Sequence, residues 1–319
     1  MNQCVTTEGG AVVDDMTPPG ERRMLLLVHP TRPDAQELAA EVAGRLAEAG
    51  VAPVALAADI HGTALADCEH LVMADPADPA KDCELVVILG GDGTILRGAE
   101  LSRGSHAPLL GVNLGHVGFL AEAERDEIGV TVDRIVAHDY TVEERLTLEV
   151  VAVHEGVEVF RSWALNEVTV EKASRERMIE LTVEIEGRPL STWGCDGLVM
   201  ATPTGSTAYA FSAGGPVVWP DVEALLVVPI SAHALFARPV VIGPSSHLVV
   251  QLAPRTDGMG VLWCDGRRAI DLPVGARVQV QRSNLPVRLA RLSASPFTDR
   301  LVEKFDLNVH GWRGTGRRA

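Results

Sequence analysis

The pattern of apolar and polar positions changes character near residue 140. Before it, short unbroken apolar runs alternate with helical spacing. Met24 to His29 (MLLLVH), Glu84 to Leu89 (ELVVIL) and Leu109 to Val112 (LLGV) have the length of buried strands. Asp34 to Ala49 places Leu38, Val42 and Leu46 one turn apart, Ile95 to Leu101 reads as a second helix, and Asp126 to His138 carries Ile128, Val132, Ile135 and Val136 on one face. The stretch from Val51 to Lys81 fits neither period. Alternation of strand and helix predicts a doubly wound α/β domain with a parallel sheet.

Beyond Tyr140 the period becomes two. Met178 to Glu186 (MIELTVEIE) alternates Ile179, Leu181, Val183 and Ile185 with polar residues and turns at Gly187. Similar short strands are expected at Leu146 to Val153, Ala164 to Val170, Leu198 to Ala201, His247 to Leu252, Val261 to Asp265 and Arg277 to Arg282, which together predict an all-β sandwich. Pro296 to Asn308 regains helical spacing through Leu301, Val302 and Phe305, and is expected to pack back on the first domain. The resulting division is a flexible extension over 1–21, the α/β domain over 22–140, the all-β domain over 141–287 and a returning segment over 288–319 with a flexible Gly/Arg tail.

Composition narrows the function. The length of 319 residues is about twice a one-domain prior. With 46% hydrophobic and 22% charged residues the chain is globular rather than disordered. A net charge of −15 argues against a general basic surface for nucleic acid, leaving a small anion held locally. The apolar stretch Leu225 to Ile230 is broken by Pro229 and falls far short of the ~20 residues of a membrane span. Met1 to Glu21 lacks the basic start and apolar core of a signal peptide, so a soluble cytoplasmic protein is expected. Five widely spaced cysteines, Cys4, Cys68, Cys83, Cys195 and Cys264, suggest neither a disulfide framework nor a zinc site.

Three segments carry candidate chemistry. Leu89-Gly90-Gly91-Asp92-Gly93-Thr94 runs a strand into a glycine-rich turn at a helix start, where backbone N–H groups and the helix dipole favour phosphate at the carboxyl end of a parallel strand. Asp92 is out of place beside phosphate unless it binds Mg²⁺ or accepts a proton; the alternative is that it simply caps the helix. Arg97, one turn in, is a candidate counter-charge or a solvated helix residue. There is no G-K-[ST] and no G-x-G-x-x-G spacing, which excludes a Walker loop and a dinucleotide-binding Rossmann turn.

The second segment, Cys195 to Gly215, follows Asp196-Gly197 and a strand with hydroxyls and glycines around Tyr209, which offers a flat face and a hydroxyl to a ring; the alternative is an ordinary Thr/Ser/Gly turn. The third is Asn166-Glu167 inside the apolar run Ala164 to Val170, where strand alternation lets only one of the two face the core. A solvent-facing pair is the alternative. Metalloprotease, serine-hydrolase, β-lactamase and protein-kinase motifs are absent from the sequence.

Taken together, GGDGT at Gly90 to Thr94, GVNLGHVGFL at Gly111 to Leu120, Asn166-Glu167, Asp196-Gly197, Thr202 to Gly215 and Arg238-Pro239 resemble the bacterial-type NAD kinases in order and along nearly the whole chain. The resemblance implies phosphoryl transfer from ATP, or from polyphosphate, to the 2′-hydroxyl of the adenosine ribose of NAD, giving NADP. It implies Asp92 as general base with Gly93 lining the same turn, Arg97 at phosphate, and Asn166 and Glu167 at the ribose and adenine. It further implies Asp196 and Thr207, Ala208, Tyr209, Ala210, Phe211 and Ser212 holding the dinucleotide, and Arg177 as an added contact, across a subunit interface. Mg²⁺ as the divalent cation, a homodimer or homotetramer and small-molecule substrates without nucleic acid or membrane complete the expectation.

Where relatives carry Gln, this chain has Arg267 in Cys264-Asp265-Gly266-Arg267, so that position is left out of the expected site. The competing readings are a diacylglycerol-type lipid kinase sharing the GGDGT turn, and a silent dinucleotide-binding regulator. The first lacks a basic amphipathic helix in this sequence, and the second has no use for Asp92.

Overall fold

The computed structural model describes residues 22–309 except 116–117, 175–176, 257 and 294–295. The expected extension over 1–21, the Gly/Arg tail from 310 onward, and His116 and Val117 of the GVNLGHVGFL stretch therefore lie outside the described residues. In chain order the first unit holds β1 (Arg23–Val28), α1 (Pro33–Glu48), β2 (Ala52–Ala55), α2 (Ala57–Ile60), β3 (Val72–Met73), β4 (Leu85–Leu89), α3 (Asp92–Leu101), β5 (Leu109–Asn113), β6 (Ala123–Glu124), α4 (Ile128–Val136) and β7 (Thr141–Arg145). The second holds β8 (Leu148–His154), β9 (Val157–Ala164), β10 (Glu167–Lys172), β11 (Ile179–Ile185), β12 (Arg188–Cys195), β13 (Gly197–Ala201), α5 (Tyr209–Ser212), β14 (Leu225–Ile230), β15 (Val240–Ile242), β16 (Leu248–Leu252), β17 (Gly260–Cys264), β18 (Arg268–Leu272) and β19 (Arg277–Arg282). The chain then returns through β20 (Val287–Arg291) and α6 (Phe297–Phe305).

The first sheet runs β3-β2-β1-β4-β5-β20-β7, parallel up to the β20–β7 pair. Its central strands β1, β2, β4 and β5 are buried almost end to end because α1 and α4 cover one face and α3 the other, which is why β1, β4 and β5 read as unbroken apolar runs. Leu38, Val42 and Leu46 of α1 are fully packed, as their spacing predicts. The ambiguous stretch after Val51 contains β2, α2 and β3. The crossing into the second unit falls after Arg145, later than the pattern near Tyr140 suggests, because β7 pairs with β20 and so belongs to the first sheet.

The second unit is a sandwich of two six-stranded antiparallel sheets, β15-β14-β13-β10-β17-β18 and β12-β11-β16-β19-β8-β9, closed over one core around Trp193, Leu181, Leu198 and Val250. Leu225 to Ile230, too short for a membrane, is β14, with Pro229 tolerated in its antiparallel pairing. Twice the chain leaves one sheet for the other within a residue or two. β9 gives way to β10 at Leu165–Asn166, and β12 to β13 at Asp196. Candidate site residues sit at both corners.

Candidate active site

The glycine-rich turn forms where β4 ends. Gly91 caps α3 with its backbone alone, so Asp92 is the first residue inside the helix and does not cap it. Its carboxylate reaches instead across the turn, where Oδ2 accepts the Phe119 N–H at 3.1 Å and Oδ1 the Leu120 N–H at 3.2 Å. A Cβ at Gly118 would lie 2.4 Å from Asp92 Oδ1, so only glycine admits the carboxylate here. Each oxygen retains lone pairs beyond its one bond. The side chain is half-buried at the mouth of the turn, oriented but still accessible.

Arg97, expected at phosphate, is paired with a buried carboxylate. Its guanidinium is clasped by Asp59 of α2, at 2.6 and 3.1 Å, and donates to the Val28 carbonyl at 3.4 Å. Asp59 is buried, so the pair ties α3 to the ends of β1 and α2.

Across the interface, the run read as one strand from Ala164 to Val170 is in fact the end of β9, a corner, and β10. The reason is Asp265. Its carboxylate accepts the N–H groups of Leu165 (2.9 Å), Asn166 (2.7 Å) and Glu167 (3.3 Å), replacing the ladder bonds that a chain switching sheets gives up. Alternation is broken at the corner, so Asn166 and Glu167 are both buried, at 8% exposure each, where a continuous strand would bury one. Leu165 meanwhile inserts into the α/β core with Ile95 of α3 and Leu120. That insertion seats the corner against the Asp92 turn.

Glu167 is buried next to Asp265. Burial first, and then the Asp265 charge, push its carboxyl up to about 8, while the Tyr209 N–H at 3.4 Å partly opposes this. Thr202 supports the corner from behind, with Oγ1 donating to the Leu165 carbonyl at 2.6 Å and accepting from Gly205 N. Gly205 passes so close that a Cβ would lie 2.0 Å from the Asn166 carbonyl oxygen. The Thr/Ser/Gly segment is therefore a packed single turn, Thr204–Thr207, leading into α5.

Within it, Ala210 is buried, Thr207 and Ala208 are half-buried, and Tyr209, Phe211 and Ser212 face outward. Asp196, at the second corner, pairs with Lys172 at 2.5 Å. Arg177 is exposed two residues ahead of the Ile179–Cys195 pair, hence toward the Asp196 end of the same hairpin.

Helix α6 joins the two halves. The Phe305 ring lies 5.8 Å from Phe119, whose N–H holds Asp92, and 4.7 Å from Phe211 beside Tyr209. Arg300 of the same helix donates to the carbonyls of Phe119 and Ala121 and pairs with buried Glu122. Arg300 thus shapes the site without having stood out in the sequence, while Phe119, Phe305 and Asp265 lie in segments that the sequence singles out without placing them at the site. An Asp before Gly in a hairpin reads as a plain turn, and a helical Phe as plain core. A cavity of about 380 Å³ is lined by Arg145, Arg291, Arg300 and Trp219 among others, but its guanidinium groups are already taken up by Glu122 and Glu143.

Comparison with known proteins covers both units. The family models for the ATP-NAD kinase N-terminal domain and C-terminal domain match residues 24–140 and 165–292. The chain is 59% identical over 297 residues to the NAD kinase of Leifsonia xyli subsp. xyli, covering 92% of this chain and 97% of that one. It is 55% identical over 316 residues to the NAD kinase of Thermobifida fusca, covering 97% and 96%. Among solved structures, yeast NADH kinase complexed with NADH superposes with a TM-score of 0.81 at 23% identity over 96% of this chain and 95% of that one. An NAD kinase from Archaeoglobus fulgidus in complex with ATP gives 0.68 at 23% identity over 90% and 100%. At that identity these two speak for the fold.

Proposed function

The chain belongs to the ATP-NAD kinase family, and from that premise we infer that it is an NAD kinase, a phosphotransferase acting on NAD. The lipid-kinase alternative has no support in these relatives. We propose that the phosphoryl group comes from ATP and goes to the 2′-hydroxyl of the adenosine ribose, with Asp92 as the proton acceptor. The observation that carries this is the Asp92 carboxylate, turned away from its own helix and fixed by two backbone N–H groups at a glycine-rich turn. Phosphoryl transfer asks little covalent chemistry of a protein beyond positioning, charge neutralisation and one proton acceptor.

Asn166 and Glu167, held at the corner, are proposed to hydrogen-bond the ribose and adenine, and exposed Tyr209 to lie against a ring. Thr207, Ala208, Ala210, Phe211, Ser212, Asp196 and Arg177 complete the proposed dinucleotide contacts, with Gly93 leaving room at the turn. Arg97, committed to Asp59, is proposed to hold α3 in place rather than to meet phosphate directly. Mg²⁺ takes most of its ligands from substrate phosphates and water, so the cation is proposed to arrive with ATP and to neutralise the phosphate charge there.

Among the described residues no helix is long and apolar enough to cross a membrane. A cytoplasmic enzyme is proposed, in keeping with the unpaired Cys68, Cys83, Cys195 and Cys264. Self-association to a dimer or tetramer is proposed through the β unit, where Leu235 and Phe236 stand exposed.

The test is to incubate the purified protein with NAD, ATP and Mg²⁺ and to detect NADP with an NADP-specific dehydrogenase, with lanes replacing ATP by polyphosphate and NAD by diacylglycerol. NADP formation that disappears in Asp92→Asn supports reaction and base together. A phosphorylated lipid without NADP overturns the assignment.

A further inference from the structure

The proposed proton acceptor and the proposed ribose contacts sit on different units, so their separation must be fixed by whatever joins α3 to the β sandwich. Besides the Leu165 insertion and α6, one ionic chain spans the two. Asp265 holds the backbone of Leu165, Asn166 and Glu167 and also accepts from Arg268 Nη2 at 2.9 Å. Arg268 Nε faces Glu100 Oε1 at 2.9 Å, and Arg267 Nε donates to Glu100 Oε2 at 2.9 Å. Glu100 lies on α3, eight residues and about 12 Å of rigid helix from Asp92.

The chain is braced on its flank. The guanidinium groups of Arg103, also on the α3 side, and of Arg268 both lie over the Trp163 ring, at 4.0 and 4.6 Å. Arg103 reaches further to Ser283 Oγ at 3.1 Å, and Arg268 Nη1 to Ser162 Oγ at 3.3 Å. Asp265 itself sits in the left-handed region, φ +53°, followed by Gly266 at φ +63°, in the tight turn between β17 and β18.

We propose that Asp265, Arg268 and Glu100 are positioning residues that set the distance between Asp92 and the Asn166–Glu167 corner, and so align the acceptor hydroxyl with its base. The proposal rests on the reading in which Asp92 accepts the proton. Arg268 is suited to the task because its Nη2 hydrogen-bonds Asp265 while its Nε stands 2.9 Å from Glu100 Oε1 as an ion pair, a spread of charge over two carboxylates that a compact lysine ammonium does not reproduce.

The experiment measures kcat, the NAD dissociation constant by calorimetry and the melting temperature for the parent, Glu100→Ala, Glu100→Gln and Arg268→Lys, with Glu100→Ala repeated in an Asp92→Asn background. Misplacement of a reacting group by about an ångström costs up to about 100-fold in rate. Glu100→Ala and Arg268→Lys are therefore expected to lower kcat by roughly 10- to 100-fold while the NAD dissociation constant stays within about threefold. Glu100→Gln, which keeps one acceptor oxygen, is expected to fall between, and serves as the folded variant if Glu100→Ala does not accumulate.

In the Asp92→Asn background the further loss is expected to shrink to less than about twofold, because a misplaced base that is already absent costs nothing more. Parental kcat in Arg268→Lys, loss of kcat and affinity in proportion, or full additivity with Asp92→Asn would each overturn the relay. Turnover surviving in Asp92→Asn alone defeats the premise instead, and is read from a separate variant.

Discussion

The two halves of the site solve opposite problems with the same functional group. At the turn, Asp92 stays half-exposed and is held by two N–H groups from another segment. At the corner, Glu167 is buried beside Asp265, and its carboxyl rises to about 8. The half-exposed carboxylate is the one that a substrate hydroxyl can reach in the proposed reaction. One buried beside another carboxyl is pushed toward its neutral form, which suits it to hydrogen bonding. The comparison teaches that burial separates two carboxyl groups that residue type alone would not distinguish.

The sharpest break of that comparison is Asp92→Asn. Loss of the proton acceptor is expected to lower kcat by about 10²- to 10⁴-fold with NAD affinity within a few-fold, as read by steady-state kinetics and calorimetry. Retained turnover would move the base elsewhere, and Glu167 would be the first place to look. Next in size is Tyr209→Ala. Stacking on a base is worth about 1–3 kcal/mol by alanine substitution, so NAD binding should weaken by about tenfold or more with kcat less affected. An unchanged binding constant removes Tyr209 from the site.

The third test addresses Glu167 directly. Its folded value lies above the ordinary 4.5, so its favourable contribution is complete below the unfolded value and is lost as pH rises through about 8. Glu167→Gln is then expected to raise the melting temperature relative to the parent more at pH 8.5 than at pH 5.5; equal shifts at both would show that Glu167 is not buried as an acid. The smallest effect is expected from Phe305→Ala, which removes the ring between Phe119 and Phe211. The Michaelis constant for NAD should rise a few-fold as the two loops loosen, on the scale of about 0.5–1.5 kcal/mol for an aromatic pair. No change would leave α6 outside the coupling of the two halves.

Much of this was legible in the chain. Unbroken runs such as Leu85–Leu89 can only be strands covered on both faces, and the strict alternation of Ile179, Leu181, Val183 and Ile185 can only be one face of a sandwich, so both architectures follow from local pattern. The glycine-rich turn at Asp92 and the segment around Tyr209 likewise announce themselves, because close backbone approach demands glycine and leaves a local trace.

The sequence by itself determined the two architectures, many of their strands and helices, and the presence of a carboxylate in a glycine-rich turn at a helix start, since all of these depend on residues a few positions apart. Only the tertiary structure decided that Asp92 turns away from its helix toward Phe119 and Leu120, that Arg97 belongs to Asp59, that Asn166 and Glu167 share a buried corner, and that Asp265 holds it. Asp265 lies 99 positions from Asn166 and Arg97 lies 38 from Asp59. Contacts across such separations form only when the core fixes the backbone, and no local pattern records them.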